Sequence, residues 1–280
     1  MNGSVDQYAV VGHPVAHSLS PFIHSLFARQ TGQSLTYRLM DVEPEQFDTR
    51  VRDFFAGGGC GVNITLPHKT RALTLASELT ERARLAGAVN TLAARRDGTL
   101  LGDNTDGAGL VQDLTVNLGT PVAHRSVLLI GAGGAARGVI APLLALKPQR
   151  IVIANRTAER AVALAAVFAG LGEVQGCGFA ELDGEAFDLV VNATSASLTG
   201  ALPEVPTTVF RADTFCYDMA YGRSDTPFVG WARELGCRRA VPGWGMLVEQ
   251  AAESFRLWRG VRPLTAPVLT ALAGRGTPGG

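Results

Sequence analysis

The stretch CGVNITLPHKT directs several chemically active side chains toward the end of one strand. Its polar residues Asn63 and Thr65 alternate with apolar ones, which is the period-two pattern of a strand with one buried face. The apolar positions of this pattern are Val62, Ile64 and Leu66. Pro67 stops the strand, and Lys69 follows two residues later. The pattern therefore predicts that an amide, a hydroxyl and an ammonium group meet at one strand end; the alternative for Lys69 is a solvated charge at the start of a helix.

A glycine-rich loop in the second half of the chain has the composition of a dinucleotide-binding turn. The string GAGGAA follows the apolar run SVLLI, precedes a helical pattern and fits the fingerprint G-x-G-x-x-A. Glycines at these positions let the backbone approach a pyrophosphate, which the positive end of the helix attracts. We therefore predict a pyrophosphate site; the alternative is a turn that only packs the helix on the strand. The residues of this loop are Gly131, Ala132, Gly133, Gly134 and Ala135.

The end of the next predicted strand favours NADP over NAD. A site for NAD usually carries a carboxylate about 20 residues after the glycine loop, where it holds the ribose hydroxyls. This chain has Asn155, Arg156 and Thr157 there, with Arg160 one turn later. Arg156 can bind a 2′-phosphate through two hydrogen bonds, and no carboxylate at this point of the sequence repels the phosphate. The alternative is that both arginines are solvated surface charges.

A predicted hairpin brings two further polar residues together. Asp97 and Gly98 lie between two runs of alternating apolar residues, which is a strong signal for a two-residue turn. In that register Asn90 lies opposite Thr105 and next to Asp106. The pleat alone would place Asn90 and Asp106 on opposite faces of the sheet. They can converge only if the second strand ends in a turn at DNTDG, which its composition favours.

The elements that must position these residues alternate between strand and helix patterns. YAVVG and SLTYRLMDV are strand-like, and SPFIHSLFARQTG predicts a helix with Ser20 as N-cap that ends before Gly32. From about residue 124 a second alternating series begins with SVLLI and continues with RIVIAN, FDLVVNAT and TFCYDMAY. A late amphipathic helix, MLVEQAAESFRLW, carries Gln250 beside its apolar stripe. This alternation predicts an α/β fold with two α/β units and largely parallel sheets.

The composition excludes several classes of protein. The chain has 280 residues, 46% of them hydrophobic, and 25 basic residues balance 25 acidic ones at a pI of about 7.0. A balanced charge gives no general attraction to nucleic acid or to an anionic membrane. The four cysteines are far apart in the sequence, which predicts reduced thiols and neither a disulfide framework nor a zinc site. The first residues show no signal-peptide pattern, so we expect a cytoplasmic protein. The apolar segment 126–148 contains Arg137, so we interpret it as a strand, a turn and a helix rather than a membrane span.

Several short strings resemble the shikimate dehydrogenase family and occur in its order and spacing. They are VGHPVAHSLSPFIH, GVNITLPHK, AGAVNTL, LGDNTDG, GAGGAAR, ANRT, NATS, YDMAY and GMLVEQA. The resemblance covers the chain from Tyr8 to about residue 260. It implies an N-terminal α/β substrate domain (residues 1–105 with 245–280), a Rossmann-like NADP-binding domain (residues 106–244) and an active-site cleft between them.

The same resemblance implies an enzyme that reversibly reduces 3-dehydroshikimate to shikimate with NADPH and without a metal. This reaction belongs to the shikimate pathway, which leads to chorismate and the aromatic amino acids. The expected partner is this small-molecule substrate, with no nucleic acid and no membrane, and the expected state is a monomer or a homodimer. Two alternatives stay open: a quinate/shikimate dehydrogenase with relaxed substrate or cofactor choice, and a non-catalytic NADP-binding regulator. The regulator would be expected to lack Lys69 or Asp106, and both are present.

The resemblance also assigns roles to single residues. It implies that Ser18 and Ser20 bind the substrate carboxylate. It implies further that Thr65 contacts a ring hydroxyl and Lys69 the reacting oxygen. The other residues assigned to the substrate are Asn63, Asn90, Asp106, Tyr221 and Gln250. The other residues assigned to the cofactor, besides the glycine loop and the four positions after the next strand, are Glu81, Met219 and Gly243.

Lys69 and Asp106 are expected to act as a catalytic pair. Reduction builds negative charge on the substrate oxygen, and that charge must be stabilised and protonated. Lys69 is the residue in these strings that carries both a positive charge and a proton, and the Asp106 carboxylate favours its charged form. We predict that Lys69 is the main proton donor, and that Asp106 orients it and binds a ring hydroxyl.

Some positions depart from the family pattern. Pro242 and Trp244 stand where relatives usually carry Asp and Leu, so the loop beside the nicotinamide would differ in shape. Ser197 replaces a usual glycine, and His68 replaces a common aromatic residue. We expect His68 to be an inert surface histidine; the alternative is a histidine that titrates near neutral pH.

Overall fold

The computed structural model of the chain describes residues 5–222 and 225–276. The chain divides into two compact units. The first consists of the chain up to Gly109 together with Val248–Leu272, and the second consists of Leu110–Leu247 with the residues from Ala273 onward. The roles that the sequence assigns to ranges 1–105, 106–244 and 245–280 stay a prediction. The final GRGTPGG, whose composition predicts a frayed tail, is helical as far as Gly276, and its other residues lie outside the described ones.

The first unit is built on a mixed sheet. Its strands are β1 (Asp6–Gly12), β2 (Leu35–Asp41), β3 (Gly59–Ile64), β4 (Glu78–Leu79), β5 (Thr91–Ala94) and β6 (Leu100–Asp103). They lie in the order β2-β1-β3-β5-β6-β4. Strand β5 runs antiparallel to both of its neighbours, and the other pairs are parallel. The predicted α/β class is therefore confirmed for this unit, with a hairpin inserted into a parallel arrangement.

The second unit has the strand order of a dinucleotide-binding Rossmann fold. Its strands are β7 (Ser126–Ile130), β8 (Arg150–Ala154), β9 (Val174–Cys177), β10 (Leu189–Asn192), β11 (Phe215–Asp218) and β12 (Arg239–Pro242). All neighbouring pairs are parallel, in the order β9-β8-β7-β10-β11-β12. The order reverses between β7 and β10, and ligands bind at such a switch point beyond the carboxyl ends of the strands. The predicted Rossmann-like unit is confirmed.

Helices connect the strands in both units. In chain order they are α1 (Ser20–Thr31), α2 (Phe47–Ala56), α3 (Glu81–Ala86), α4 (Asp106–Gln112), α5 (Gly134–Ala145), α6 (Ala158–Phe168), α7 (Pro227–Glu234), α8 (Trp244–Arg259) and α9 (Ala266–Gly276). A π-helical stretch, Asp113–Asn117, continues α4. Segment 126–148 is strand β7, a turn and helix α5, as predicted. Among the described residues, no helix is long and apolar enough to cross a membrane. All four cysteines carry free thiols.

Strand β3 ends two residues earlier than its sequence pattern predicts. Val62 and Ile64 are buried in the core of the first unit, whereas Leu66 is 41% exposed. The prediction of Leu66 as a buried strand residue is therefore wrong. After Ile64 the chain turns, and the Thr65 carbonyl accepts a hydrogen bond from His68 N at 3.0 Å.

Helix α1 begins one residue earlier than predicted. Its N-cap is Leu19, so the assignment of Ser20 as N-cap is wrong. Ser20 is itself the first helical residue, and its N–H donates to Ser18 Oγ at 3.3 Å. The predicted end of the helix is confirmed, because Gly32 follows it in a left-handed conformation with φ of 65°.

The hairpin between β5 and β6 has a longer turn than predicted. Arg95 N donates to the Thr99 carbonyl and Gly98 N to the Arg95 carbonyl, which leaves three residues in the loop. Gly98 adopts φ of 82°, as the last residue of a three-residue hairpin loop requires. The register therefore shifts by one residue, and Thr91 pairs with Asp103. The predicted pairing of Asn90 with Thr105 is wrong.

His24 is a buried polar residue within the aromatic core of the first unit. Its ring stacks on Tyr37 with centroids 4.3 Å apart and contacts Phe255 and Trp258. It is 1% exposed, and neither ring nitrogen has a hydrogen-bond partner among the described residues. Burial lowers the pKa of His24 from 6.5 to about 3, and the nearby Asn63 amide opposes this shift in part. The folded chain therefore holds a neutral imidazole that costs free energy.

Replacing His24 with phenylalanine should reduce the sensitivity of the fold to acid. The pKa of His24 is lower in the folded chain than in the unfolded chain. The free energy of unfolding is therefore unaffected by this group above pH 6.5 and decreases as the pH falls from 6.5 toward 3, where the unfolded chain alone takes up the proton. We expect wild type to lose about 2 kcal/mol of unfolding free energy through this group between pH 8 and pH 5, and His24→Phe to lose none of it. The variant should be at least as stable as wild type at pH 8.

Urea unfolding of both proteins at pH 8 and pH 5 tests this prediction. The wild-type protein serves as its own control at pH 8, where the imidazole is neutral in both states. An equal stability difference between the two proteins at both pH values would contradict the assignment.

Candidate active site

Lys69 and Asp106 form a close ion pair beyond the end of strand β3. Lys69 Nζ donates to Asp106 Oδ2 across 2.6 Å, and the two side chains are 13% and 6% exposed. The carbonyl of Lys69 accepts a hydrogen bond from Val89 N at 2.8 Å, which fixes the backbone beneath the amine. An ammonium group this well shielded from water can stabilise a charge that develops on a ligand oxygen and can donate a proton to it.

The amide of Asn90 holds the carboxylate of Asp106 from another side. Asn90 Nδ2 donates to Asp106 Oδ1 at 2.9 Å and to Thr105 Oγ1 at 2.9 Å. Asn90 Oδ1 accepts the backbone N–H of Thr105 at 2.8 Å, and a backbone N–H can only donate. The amide therefore has one possible orientation, in which its NH₂ group faces Asp106. The structure brings Asn90 and Asp106 together by a turn after strand β6, as expected, although the predicted register of the hairpin is wrong.

Gln250 joins this group from helix α8. Its Oε1 lies 3.4 Å from Asn90 Nδ2 and 3.4 Å from Thr105 Oγ1. The side chain is half-buried beside the apolar stripe of the helix. Within the first unit, the structure thus gathers Lys69, Asn90, Asp106 and Gln250 into one polar cluster. Their function as ligands stays a prediction.

Asn63 lies deeper than its neighbours in the sequence. It is 6% exposed, and its Oδ1 accepts the Tyr37 hydroxyl at 2.7 Å. Its Nδ2 donates to Ser254 Oγ at 2.9 Å and to Thr91 Oγ1 at 3.1 Å. The amide is thus hydrogen-bonded at both ends within the first unit. Direct binding of a substrate by Asn63 stays a prediction.

Thr65 and the two serines lie on the loops that follow β3 and β1. These loops touch, because a Cβ at Gly12 would lie 2.3 Å from Thr65 Cγ2. Glycine at position 12 therefore lets Thr65 approach. Ser18 Oγ donates to Ser20 Oγ at 3.1 Å, so the two hydroxyls lie side by side at the start of α1. Adjacent hydroxyls at a helix start can donate to a carboxylate, which supports but does not test their assigned role.

The glycine loop of the second unit has room for a dinucleotide. Gly131 adopts φ of 108°, and a Cβ there would lie 3.1 Å from Thr194 Cγ2, so this residue shapes the turn. Gly133 is the N-cap of α5, and a Cβ on it would meet no atom of the described residues within 4 Å. The loop therefore combines one glycine that the fold requires with another that leaves open space at a helix start. This geometry fits a pyrophosphate.

Arg156 borders a surface cleft of about 400 Å³ within the second unit. The cleft is lined by Arg156, Gly178, Phe179, Ala180, Glu204 and Pro206. Asn155 Nδ2 donates to the Thr157 carbonyl at 2.9 Å, which rigidifies the turn that carries the arginine. Arg156 and Arg160 are both exposed. The sequence reasoning missed Phe179 and Glu204, because they are distant in sequence and belong to no recognised motif.

Met219, Gly243 and Tyr221 lie on two adjoining segments of the second unit. Gly243 N donates to the Ala220 carbonyl at 2.9 Å, and a Cβ on Gly243 would lie 2.7 Å from the Met219 carbonyl oxygen. The Tyr221 ring contacts the Trp244 ring with centroids 5.0 Å apart. Burial raises the pKa of Tyr221 to about 12, so its hydroxyl stays protonated and can donate. The contacts of these three residues with a ligand stay a prediction.

Asp218 anchors the end of strand β11, just before Met219. Ser197 and Thr226 each donate a hydroxyl to Asp218 Oδ2 at 2.6 Å. Asn192 Nδ2 donates to Oδ1 at 3.1 Å, and Ala220 N donates at 3.0 Å. Burial raises the pKa of Asp218 despite these four donors. Ser197, the departure from the usual glycine, is thus one of the groups that hold this buried carboxyl in place.

His68 is not a surface histidine, so that expectation is wrong. It is 2% exposed, stacks on Phe47 at 4.4 Å and donates Nε2–H to the Val42 carbonyl at 2.8 Å. Burial lowers the pKa of His68. The residue replaces an aromatic one in the sequence and serves as an aromatic core residue in the structure. Glu81 is exposed at the first position of α3, and its predicted contact with the cofactor stays untested.

Three family models match the chain one after another. The model described as shikimate dehydrogenase substrate binding domain matches residues 10–92. The model described as shikimate / quinate 5-dehydrogenase matches residues 114–220, and the one described as shikimate 5′-dehydrogenase C-terminal domain matches residues 243–273. These matches cover more than half of the chain and both of its units.

Known proteins resemble the chain over nearly its whole length. The shikimate dehydrogenase (NADP(+)) of Methylococcus capsulatus is 55% identical over 267 residues, which cover 95% of this chain and 96% of the relative. The crystal structure of an Ael1 enzyme from Pseudomonas putida matches with a TM-score of 0.87 and 46% identity, covering 95% of this chain and 98% of that chain. The shikimate 5-dehydrogenase of Thermus thermophilus in complex with NADP(H) and shikimate matches with a TM-score of 0.84 and 34% identity, covering 97% and 100%.

Two alanine substitutions in the glycine loop should separate cofactor binding from folding. Gly133→Ala should leave the melting temperature within about 2 °C of wild type, because its methyl group meets open space. It should weaken NADPH binding by at least about tenfold, because the methyl group occupies the approach to the pyrophosphate. Gly131→Ala should lower the stability by about 1–3 kcal/mol, because alanine is strained at φ of 108°.

Thermal unfolding and the quenching or enhancement of NADPH fluorescence measure both effects. The two variants control for each other, since they add the same methyl group two residues apart. Unchanged NADPH affinity in Gly133→Ala would show that this loop only packs helix α5 on strand β7.

Proposed function

Because the chain belongs to the shikimate dehydrogenase family, we propose that it catalyses the reversible, NADPH-dependent reduction of 3-dehydroshikimate to shikimate. The observation that carries this proposal is the Lys69–Asp106 pair, whose charged atoms lie 2.6 Å apart and are largely shielded from water. Shielding two charges from water costs free energy, so a pair that only stabilised the fold would be of little benefit. A proton donor for the reacting oxygen gives the pair a function.

Lys69 and Asp106 act together on the substrate oxygen. NADPH, when bound, supplies the hydride. Lys69 stabilises the negative charge that grows on the oxygen and donates a proton to it. Asp106 orients the ammonium group and accepts a hydrogen bond from a ring hydroxyl, while Asn90 holds the carboxylate. In the direction of oxidation the pair takes up the proton that leaves the substrate hydroxyl.

The remaining substrate contacts are neutral hydrogen-bonding groups. Ser18 and Ser20 bind the substrate carboxylate with their paired hydroxyls. Thr65, Tyr221 and Gln250 bind hydroxyl groups of the ring. A set of hydroxyls and amides suits a small polyhydroxylated acid, because each ring hydroxyl can both donate and accept. Substrates without those hydroxyls are rejected, since buried polar groups of the site would be left unpaired.

The second unit binds NADP. The glycine loop and the start of α5 accommodate the pyrophosphate, and Gly133 provides the required space. Arg156 binds the 2′-phosphate at the edge of its cleft, and Asn155, Thr157 and Arg160 support that end of the cofactor. Met219 and Gly243 contact the nicotinamide. This assignment is supported by the Thermus thermophilus relative, whose structure was determined with NADP(H) and shikimate.

The two units differ in what they bind. We assign most of the substrate contacts to the first unit, which includes Val248–Leu272, and the cofactor to the second unit. The pathway to chorismate, the cytoplasmic location and the monomeric or homodimeric state remain predictions from the sequence. The partner is a small molecule in every version of the proposal.

A second candidate function is a quinate/shikimate dehydrogenase with relaxed substrate choice. Its support is the family model, whose description names both shikimate and quinate. The absence of a carboxylate at Asn155 and Arg156 in the sequence argues against the NAD preference of such enzymes. Turnover with quinate and NAD, measured beside shikimate and NADP, decides between the two candidates.

Replacing Lys69 with alanine should abolish most of the turnover. We expect the rate of NADP reduction by shikimate to fall by about 10²–10⁴-fold, because the reaction loses its proton-transfer group. Asp106→Asn should also lower kcat strongly, because an amide cannot hold the ammonium group by charge. Absorbance at 340 nm with saturating shikimate and NADP measures both effects.

Lys147→Ala is a matched control for this experiment, because Lys147 is the other lysine in the chain and is exposed. It should keep the wild-type rate. If Lys69→Ala retained more than about a tenth of wild-type turnover, the assignment of the proton donor would be wrong. Tight NADPH binding without turnover of shikimate in wild type would favour a regulator or a different polyol substrate.

Replacing Arg156 with alanine should shift the cofactor preference. We expect the ratio of kcat/KM for NADP to that for NAD to fall by about 10–100-fold, since charge-assisted hydrogen bonds contribute about 1.5–3 kcal/mol. Arg96→Ala, at an exposed position of the hairpin loop, controls for the general loss of a positive charge. An unchanged ratio would assign Arg156 to the solvated surface.

A further inference from the structure

Three hydroxyl groups form a buried cluster beneath the polar residues of the first unit. We call Thr91, Thr105 and Ser254 the hydroxyl cluster; all three are 0% exposed. Ser254 Oγ lies 2.8 Å from Thr91 Oγ1 and 3.2 Å from Thr105 Oγ1. None of the three has a role in the proposed reaction so far. Their burial means that they cannot touch a ligand, so they can act only through their neighbours.

Ser254 is the member that connects the cluster to helix α8. It lies one turn after Gln250, and its hydroxyl is 3.1 Å from the Gln250 carbonyl. It also accepts a hydrogen bond from Asn63 Nδ2 at 2.9 Å. Serine in a helix interior is less favourable than alanine. Because Thr91 gives its one hydroxyl proton to Asn90, Ser254 donates its own to Thr91 rather than to the Gln250 carbonyl. Its presence at a fully buried position therefore needs another explanation.

The hydroxyl cluster reaches the catalytic pair through Asn90. Thr91 Oγ1 donates to Asn90 Oδ1 at 2.9 Å, beside the backbone N–H of Thr105. Because Oδ1 is held by these two donors, Nδ2 is directed at Asp106. Ser254 constrains Thr91 and Thr105 at once, so it fixes both hydroxyls that contact the Asn90 amide.

We propose that Ser254 is a positioning residue for the reaction, which holds the Asn90 amide, and through it the Asp106 carboxylate, by way of Thr91 and Thr105. This inference rests on the proposed function. Buried hydrogen-bond networks are rigid when every member is paired, and rigidity is what a proton-transfer geometry requires. Alanine at position 254 leaves Asn63, Thr91 and Thr105 each with one partner fewer. The substrate-binding groups remain, but the carboxylate that orients Lys69 is less well fixed.

Steady-state kinetics of Ser254→Ala test this proposal. We expect kcat to fall by about tenfold, while KM for shikimate and for NADP stays within about twofold, because alignment rather than binding is lost. Rates are normalised to the number of NADPH-binding sites, so that a misfolded fraction does not count. Thr91→Val, which removes the neighbouring hydroxyl at nearly constant volume, should lower kcat in the same way and provides the same test if Ser254→Ala fails to fold.

The double variant Ser254→Ala/Thr91→Val distinguishes a shared path from two separate effects. We expect its loss of kcat to be smaller than the product of the two single losses, because both act through the same amide. Ser25→Ala, which removes an exposed hydroxyl that donates to the Phe22 carbonyl, is the matched control and should keep the wild-type kcat.

Three results would overturn the inference. The first is a normalised kcat of Ser254→Ala within twofold of wild type, and the second is a rise in KM for shikimate or NADP as large as the fall in kcat. The third is a kcat of the double variant that is reduced by the full product of the two single reductions. The proposed function is tested separately by wild-type turnover. Wild-type protein that binds NADPH but does not oxidise shikimate would overturn the proposed function and this inference with it. Active wild type with an unaffected variant overturns the inference alone.

Discussion

The orientation of one buried amide determines the geometry of the polar cluster in the first unit. The backbone N–H of Thr105 donates to Asn90 Oδ1, and this single fixed donor decides which end of the amide faces Asp106. The carboxylate then presents its other oxygen to Lys69. A side chain that could flip would offer Asp106 either a donor or a repelling oxygen. The turn that places Thr105 after strand β6 is therefore as important to the site as the charged residues themselves.

That turn shows what could and could not be predicted from the sequence. The composition of DNTDG predicted that the second strand of the hairpin ends before Asp106, and this is correct. The dipeptide at Asp97 predicted a two-residue turn, whereas the loop has three residues and the register shifts by one. Both turn types accept the same residues, so local sequence does not choose between them. The choice is made by the fit of the hairpin to β3 and β4, and contacts between distant strands are not visible in a single sequence.

The glycine loop and the Rossmann-like unit were predictable for a different reason. A tight turn between a strand and a helix leaves few alternatives to glycine, so the residue type at Gly131 reports its backbone conformation directly. The cleft beside Arg156 was not predictable, because Phe179 and Glu204 line it from two segments that are distant in the sequence. For His68 the sequence led to a wrong prediction rather than to a missing one. Its polar side chain favoured a surface position, but in the structure the ring stacks on Phe47 and donates to the Val42 carbonyl in the core.

Buried polar residues in the first unit fall into two groups that differ in hydrogen bonding. Asn63, Asn90 and Ser254 are linked into a network through Thr91, so their removal from water is compensated. His24 lies beside the same network, yet its nitrogens have no partner among the described residues. A core selected for stability alone would have an apolar ring at that position and an apolar side chain at Ser254. The network instead retains groups whose directions are specified, and this is the property that a site for ordered proton transfer needs from the residues beneath it.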